Sequence, residues 1–285
     1  MISIKKDFEN PPELLVKSKR DDHIKDALIT KNEHKFRSSI YRKTTIEALE
    51  KLYNHKCAYC ETDISAGAPF QVEHFRPKAK TEGDISHKGY YWLAYEWSNL
   101  TLGCSICNNS KKNYFPIVGT RIYAPLLGTN GLPTDEYLSL KSVLLLGELA
   151  ILLNPEIDEV EKHFYFLPNG EIKELGDRAK ATIEILKLNR KRLMFWRRKV
   201  WKDYSNDLKD ILKDFLANSI SEITCRTEVR RIFKKILLHQ EPEKQYSRFG
   251  YFMYHKFEFF VVNDFEGKQK DAVLRFFDLF KKNEL

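Results

Sequence analysis

The reading turns on residues 57 to 112, CAYCETDISAGAPFQVEHFRPKAKTEGDISHKGYYWLAYEWSNLTLGCSICNNSKK. Cys57-x-x-Cys60 opens this stretch and Cys104-x-x-Cys107 closes it. Two such knuckles suit one tetrahedral Zn²⁺, because each short loop delivers two thiolates to a metal about 2.3 Å away and the four soft ligands complete its shell. A shell so filled leaves no open position, so this zinc is structural. The chemistry must come from what the knuckles enclose.

Enclosed are Glu73-His74-Phe75-Arg76-Pro77-Lys78 and Trp97-Ser98-Asn99-Leu100, followed by Cys107-Asn108-Asn109-Ser110-Lys111 leaving the second knuckle. A carboxylate beside a histidine, then an Asn, then Asn-x-x-Lys, resembles an HNH nuclease as a set; neither EH nor NxxK alone is diagnostic. The resemblance implies a zinc-stapled ββα-metal core inside an α+β protein. It implies His74 as general base toward a water nucleophile. Glu73 and Asn108 would hold a catalytic Mg²⁺ or Mn²⁺ through hard oxygen donors. Asn99 would brace the loop carrying His74 and fix the imidazole tautomer. Many HNH enzymes carry Asp at the Glu73 position and His at the Asn108 position, so this chain departs from the pattern twice. Arg76, Lys78, Lys111 and Lys112 flank these groups and are candidates to grip phosphates on either side of the cut. His87 lies in the same stretch and reads as structural.

The likeness extends to Gly89-Tyr-Tyr-Trp-Leu-Ala-Tyr-Glu-Trp-Ser-Asn-Leu100, Leu152-Leu-Asn-Pro155 and Ala181-Thr-Ile-Glu-Ile-Leu-Lys-Leu-Asn-Arg190. In these words the chain resembles the PtuB-like HNH proteins of bacterial Septu and retron-associated anti-phage defence. That membership implies DNA as substrate and a PtuA-like ABC- or SMC-type ATPase as a hetero-oligomeric partner. No Walker A pattern occurs in the chain itself, so nucleotide control would have to come from such a subunit.

Composition bounds these readings. The 285 residues are 42% apolar and 31% charged, enough for a substantial core, and the net charge of +8 favours an acidic partner without identifying it. Five cysteines, four of them in the knuckles, leave Cys225 as a solitary thiol. The opening MISIKKDFENPPELL lacks the apolar core of a secretory signal, and a cytoplasmic location is expected. The most apolar run, Ser142 to Leu153, is too short to cross a bilayer and is broken by Gly147 and Glu148.

Outward from the central stretch, residues 1–32 read as a charged N-terminal arm with one short helix and residues 33–120 as the nuclease module. Residues 121–176 read as a connecting segment, and residues 177–285 as a helical region suited to partner docking. Within the module, Pro69 to His74 alternates as a strand whose hairpin partner is expected near Tyr59 to Ile64, and Ser98 or Asn99 is expected at a helix N-terminus. His163 to Ile172 reads as a hairpin about Asn169-Gly170. The stretch Lys187 to Lys202 holds eight cations and no acid, interleaved with Phe195, Trp196 and Trp201. It fits a nucleic-acid backbone, or a helix whose rings face the core and whose cations face water. Two other functions share the motif: an RNA-cleaving (tRNA-directed) HNH toxin, and a non-catalytic zinc module that binds DNA or a partner.

Overall fold

The computed structural model describes residues 1–285, the side chain of Asn32 excepted. It divides into two units: Met1–His163 with Glu174–Leu188, and Phe164–Lys173 with Asn189–Leu285.

In the first unit β1 (Gln71–His74) pairs antiparallel with β2 (Leu100–Gly103), placing Val72 opposite Leu102 and His74 opposite Leu100. The partner strand is therefore β2, not the expected Tyr59 to Ile64, which lies in and just after the first knuckle. β2 wins because Leu100 and Leu102 are fully buried and extend the apolar face of Val72. A helix (Ser105–Lys111) follows directly, capped by Cys104, whose Sγ accepts from the Cys107 N–H. Asn99 consequently ends a 3₁₀ turn ahead of β2 rather than starting the helix. Two further helices, Lys17–Thr30 and Thr45–Leu52, pack on this unit.

Residues 1–32 do not form a separate arm. Leu15, Ile24 and Ala27 are fully buried. The Lys6 ammonium donates to the Trp97 carbonyl (2.8 Å) and faces Glu156 (3.2 Å), while Arg20 pairs with the buried Glu96. The alternating charge of this segment hid its inward face. Likewise Asp177–Ile185 is helical as expected but belongs to the first unit, where the buried Thr182 Oγ1 accepts from Leu153 N–H (3.0 Å).

The loop between the two strands is fixed by one glycine. Gly89 has φ +83°, and a Cβ there would fall 1.2 Å from the Ala79 carbonyl oxygen, so no other residue lets the chain cross itself at this point. The crossing delivers Tyr90, whose N–H donates to Pro77 O (2.7 Å), and then the buried Tyr90, Trp92 and Tyr95.

The second unit contains β3 (Phe164–Phe166) and its hairpin partner β4 (Ile172–Glu174) as far as Lys173, turned at Gly170 (φ +84°). Its helices are Lys191–Leu216, Glu222–Leu238, Ser247–His255, Phe257–Val262 and Gly267–Lys281. Trp201, Phe233, Phe249, Phe257 and Phe260 form an aromatic core, and Cys225 is a fully buried thiol. The breaks fall at Pro242 and Asn263-Asp264, as the sequence indicates. Among the described residues no helix is long and apolar enough to cross a membrane.

Candidate functional site

The ligand atoms of Cys57, Cys60, Cys104 and Cys107 lie within 4.8 Å of one another, and Cys60 Sγ and Cys104 Sγ are 3.8 Å apart. A zinc ion with four thiolates at about 2.3 Å requires this kind of spacing. Burial pushes the Cys57 thiol well above its ordinary value. Four buried sulfurs crowded without a disulfide are reconciled when a dication takes them as thiolates. The knuckles also tie the sheet together. Ala58 N–H donates to Leu102 O on β2 (2.8 Å), and Cys104, one of the four candidate ligands, also caps the helix.

Period-two alternation puts Glu73 and His74 on opposite faces of β1. On one face the His74 imidazole is 5% exposed. Its Nε2 lies 2.9 Å from the Ala94 carbonyl, which can only accept, so Nε2 carries the hydrogen and Nδ1 keeps its lone pair. Nδ1 is 3.3 Å from the Lys78 ammonium. Burial lowers the imidazole well below the usual histidine range, and the Lys78 charge pushes in the same direction, so the ring is neutral at pH 7. The Tyr41 ring stands edge-on to the imidazole at 4.8 Å, and Lys78 lies 5.0 Å from the Tyr41 ring centroid.

On the other face Glu73 is 5% exposed, and its Oε1 accepts from the Lys111 ammonium at 2.7 Å. Burial raises the Glu73 carboxyl and Lys111 opposes that rise. Asn108, one turn earlier on the helix, donates Nδ2–H to Gln71 Oε1 (2.6 Å), leaving its own amide oxygen available. Between the two side chains stands Gly103: a Cβ there would lie 3.4 Å from Glu73 Cβ and 3.8 Å from Asn108 Cβ. A side chain at position 103 would thus touch both residues. Glu73 and Asn108 would offer Mg²⁺ or Mn²⁺ hard oxygen donors, one Glu73 oxygen being held by Lys111.

Asn99 is fully buried, and its side chain bonds to backbone rather than to the imidazole. Its Oδ1 accepts from Arg76 N–H (2.8 Å), and Nδ2 donates to Arg76 O (3.0 Å) and Leu93 O (3.2 Å). It braces the loop leaving His74, as the sequence reading expects. The tautomer, however, is set by Ala94 O, and Asn99 acts on it only by holding the preceding residue.

The cations sort differently from expectation. Arg76 is 2% exposed and donates to Glu148 Oε2 (2.9 Å) and Leu145 O (2.6 Å). Lys111 is fully buried, on Glu73 and on the His74 carbonyl (2.9 Å). Neither presents its charge to a phosphate, because each neutralises a buried carboxylate instead. Lys78 stays beside His74 and Lys112 is exposed. His87 is internal, spanning Thr81 Oγ1 (2.7 Å) and Ile122 O (3.0 Å), which fits its structural reading. Sequence reasoning missed Gln71, Ala94 and Tyr41. Gln71 was findable, since it sits two residues before Glu73 on the same strand face; a backbone carbonyl and a ring from a distant helical turn leave no sequence signal.

The chain is 36% identical over 177 residues to the Septu protein PtuB of Bacillus mycoides (strain KBAB4), covering 59% of this chain and 55% of that protein. Over that span the chain is similar to PtuB. A PtuB of Bacillus thuringiensis is 23% identical over 216 residues, covering 74% of this chain and 68% of the relative. The chain is also similar to Septu protein PtuA of the Bacillus mycoides strain, at 25% identity over 162 residues, 55% of this chain and 21% of that protein. It therefore spans about half the length of the first PtuB and about a fifth of PtuA. No family model matches.

Proposed function

We propose that this chain is a metal-dependent HNH endonuclease that hydrolyses DNA phosphodiester bonds as an effector of Septu-type anti-phage defence, working with a PtuA-like ATPase. The observation that carries the reading is His74: a buried, neutral imidazole whose Nε2–H is committed to Ala94 O and whose Nδ1 lone pair is turned toward a lysine, at the end of a strand that presents Glu73 to Asn108 on its other face. Similarity to PtuB and PtuA supports the defence assignment.

In this mechanism a scissile phosphate draws the Lys78 ammonium away from Nδ1, exposing the lone pair. His74 then takes a proton from water as its oxygen attacks phosphorus, and the Ala94 carbonyl stabilises the resulting imidazolium through Nε2–H. Glu73 and Asn108 would hold Mg²⁺ or Mn²⁺, which supplies charge for the phosphate and for the departing 3′ oxygen. Asn99 keeps Leu93 and Arg76 in place and so keeps Ala94 O aimed at the ring.

One observation favours the non-catalytic zinc module instead. The Lys111 ammonium sits on the carboxylate that the nuclease reading gives to a dication. The two readings part on cleavage of supercoiled plasmid by wild type and His74→Ala, with Mg²⁺, Mn²⁺ or EDTA, each with and without the ATPase, zinc being quantified throughout. Metal-dependent cutting lost in His74→Ala, with about one zinc per chain in both proteins, is the expected result. Zinc-loaded protein that cuts neither plasmid nor a tRNA panel would sink the enzyme reading.

A further inference from the structure

The basic stretch noticed in the sequence has a use that the HNH site does not absorb. On the helix Lys191–Leu216, Lys191, Phe195, Arg198 and Lys202 recur at i, i+4, i+7 and i+11, so they form one stripe, with Arg192 and Lys199 beside it. A solvated structural face predicts buried rings and cations neutralised by acids one turn away. Trp201 obeys the first rule, at 1% exposed, and Arg197 points inward. Phe195 and Trp196 do not: they are 60% and 43% exposed, and their rings stand edge to face at 5.4 Å.

The cations divide in the same way. Lys199 pairs with Asp203 and Lys202 with Asp264. Lys191, Arg192 and Arg198 are exposed and make no hydrogen bond or ion pair among the described residues. No acid occurs between Lys187 and Lys202 that could neutralise them. The stripe runs into a cleft of about 330 Å³ whose walls include Asn169, Arg198, Phe259 and Asn263, with Phe259 itself 46% exposed.

We infer that this face of the second unit binds single-stranded nucleic acid. Unpaired cations spaced along about 10 Å of helix, from Lys191 to Arg198, match successive phosphates. Exposed aromatic rings match unstacked bases, which a duplex does not offer. Asn263, whose Nδ2 donates to Phe259 O (2.7 Å), keeps its amide oxygen for a base edge at the end of the track. A partner protein docking through the two rings alone would leave the three cations unmatched; a phosphate backbone satisfies rings and charges together. The inference names the form of the nucleic acid that the proposed nuclease holds and so rests on that reading, but binding reads it out and cleavage does not.

The test uses the full zinc-loaded chain in EDTA-free, Mg²⁺-free buffer and 20-nucleotide fluorescent probes of single-stranded DNA, single-stranded RNA and duplex DNA, measured by anisotropy across a salt series. Wild type is expected to prefer single strands to the duplex. Because Phe195 and Trp196 are exposed, Phe195→Ala/Trp196→Ala folds normally and is expected to weaken single-strand binding by about fivefold or more, leaving weak duplex binding unchanged. Arg192→Ala/Arg198→Ala is expected to reduce the salt slope by about one to two. His74→Ala is expected to bind as wild type does, so a dead nuclease with intact strand binding separates failure of the catalytic reading from failure of this one. Equal binding of single strands and duplex, or an aromatic double variant that binds as wild type, overturns the inference. So does a double variant that loses the ATPase from co-purification while keeping its strand affinity.

Discussion

Replacing Lys111 with Met separates two roles for this cation, an internal clamp on Glu73 and a grip on phosphate. Read along the chain, it is a cation one turn beyond Asn108 at the edge of a nuclease motif, and a phosphate grip is the natural role. Folded, it is fully buried, with its ammonium 2.7 Å from Glu73 Oε1 and 2.9 Å from the His74 carbonyl. Lys111→Met keeps the stem's volume and removes the charge. It leaves a 5%-exposed carboxylate with no counter-charge and a backbone carbonyl with no donor. Breaking a buried pair from one side costs about 3–5 kcal/mol, and for a unit of this size that is about 10 °C in Tm. Glu73→Gln alone strands the ammonium and is destabilising as well. Lys111→Met/Glu73→Gln removes both charges and should recover most of the loss, giving a coupling energy of about 2 kcal/mol or more in the double-mutant cycle. The assay is urea denaturation in Mg²⁺-free buffer with zinc content checked in every variant. A Lys111→Met protein within about 1 kcal/mol of wild type, whose only defect is a shallower salt dependence of DNA binding, would refute the internal clamp and restore the phosphate grip.

Three further outcomes follow from the same geometry. Cys104→Ser removes a zinc ligand and alters the helix cap together; mass spectrometry under native conditions should find the zinc lost, and circular dichroism should find the first unit unfolding well before the second. Asn99→Ala orphans Arg76 N–H, Arg76 O and Leu93 O in the interior, which should cost about 3 kcal/mol or more by denaturation and slow cleavage about 10–100-fold at temperatures where the variant is folded. Glu96, pushed up to about 7 mainly by burial despite its pairing with Arg20, is an acid whose folded value exceeds its unfolded one. Its stabilising contribution is present below pH 4.5 and lost as pH rises through about 7, so wild type should lose up to about 3 kcal/mol relative to Glu96→Gln between pH 4.5 and 8; parallel stability curves for the two proteins would contradict this.

How much of this was legible depends on whether a residue's role is local. The knuckles, the Asn-Gly hairpin and the C-terminal helices are set by short-range spacing, and the sequence carries them. The strand partner was misplaced because Tyr59 to Ile64 is nearer in sequence, whereas Leu100 and Leu102 supply the buried face that pairing needs. The N-terminal segment looked like an arm because its inward residues are few, yet Lys6 and Arg20 are anchored on Trp97 O, Glu156 and Glu96 from far along the chain. Arg76 and Lys111 were misassigned for the same reason. A sequence shows that a cation is present but not whether a carboxylate waits for it inside, as Glu148 does for Arg76.

The adjacency of Glu73 and His74 is itself a consequence of strand geometry. Consecutive residues on a strand face opposite ways, so an EH pair cannot place both side chains in one pocket while the strand continues. Here β1 ends at His74, and the chain is turned by Asn99, which holds Arg76 by both its N–H and its carbonyl. Glu73 is thereby committed to the helix side, against Lys111 and across Gly103 from Asn108, while His74 is committed to the loop side, against Ala94 O and Lys78. A reaction that uses both must occur at the strand's end, where the two faces meet. This is why the groups that set the site's precision are those that fix where the strand stops: Asn99 in the loop, and Lys111, whose one ammonium bonds the Glu73 carboxylate and the His74 carbonyl together.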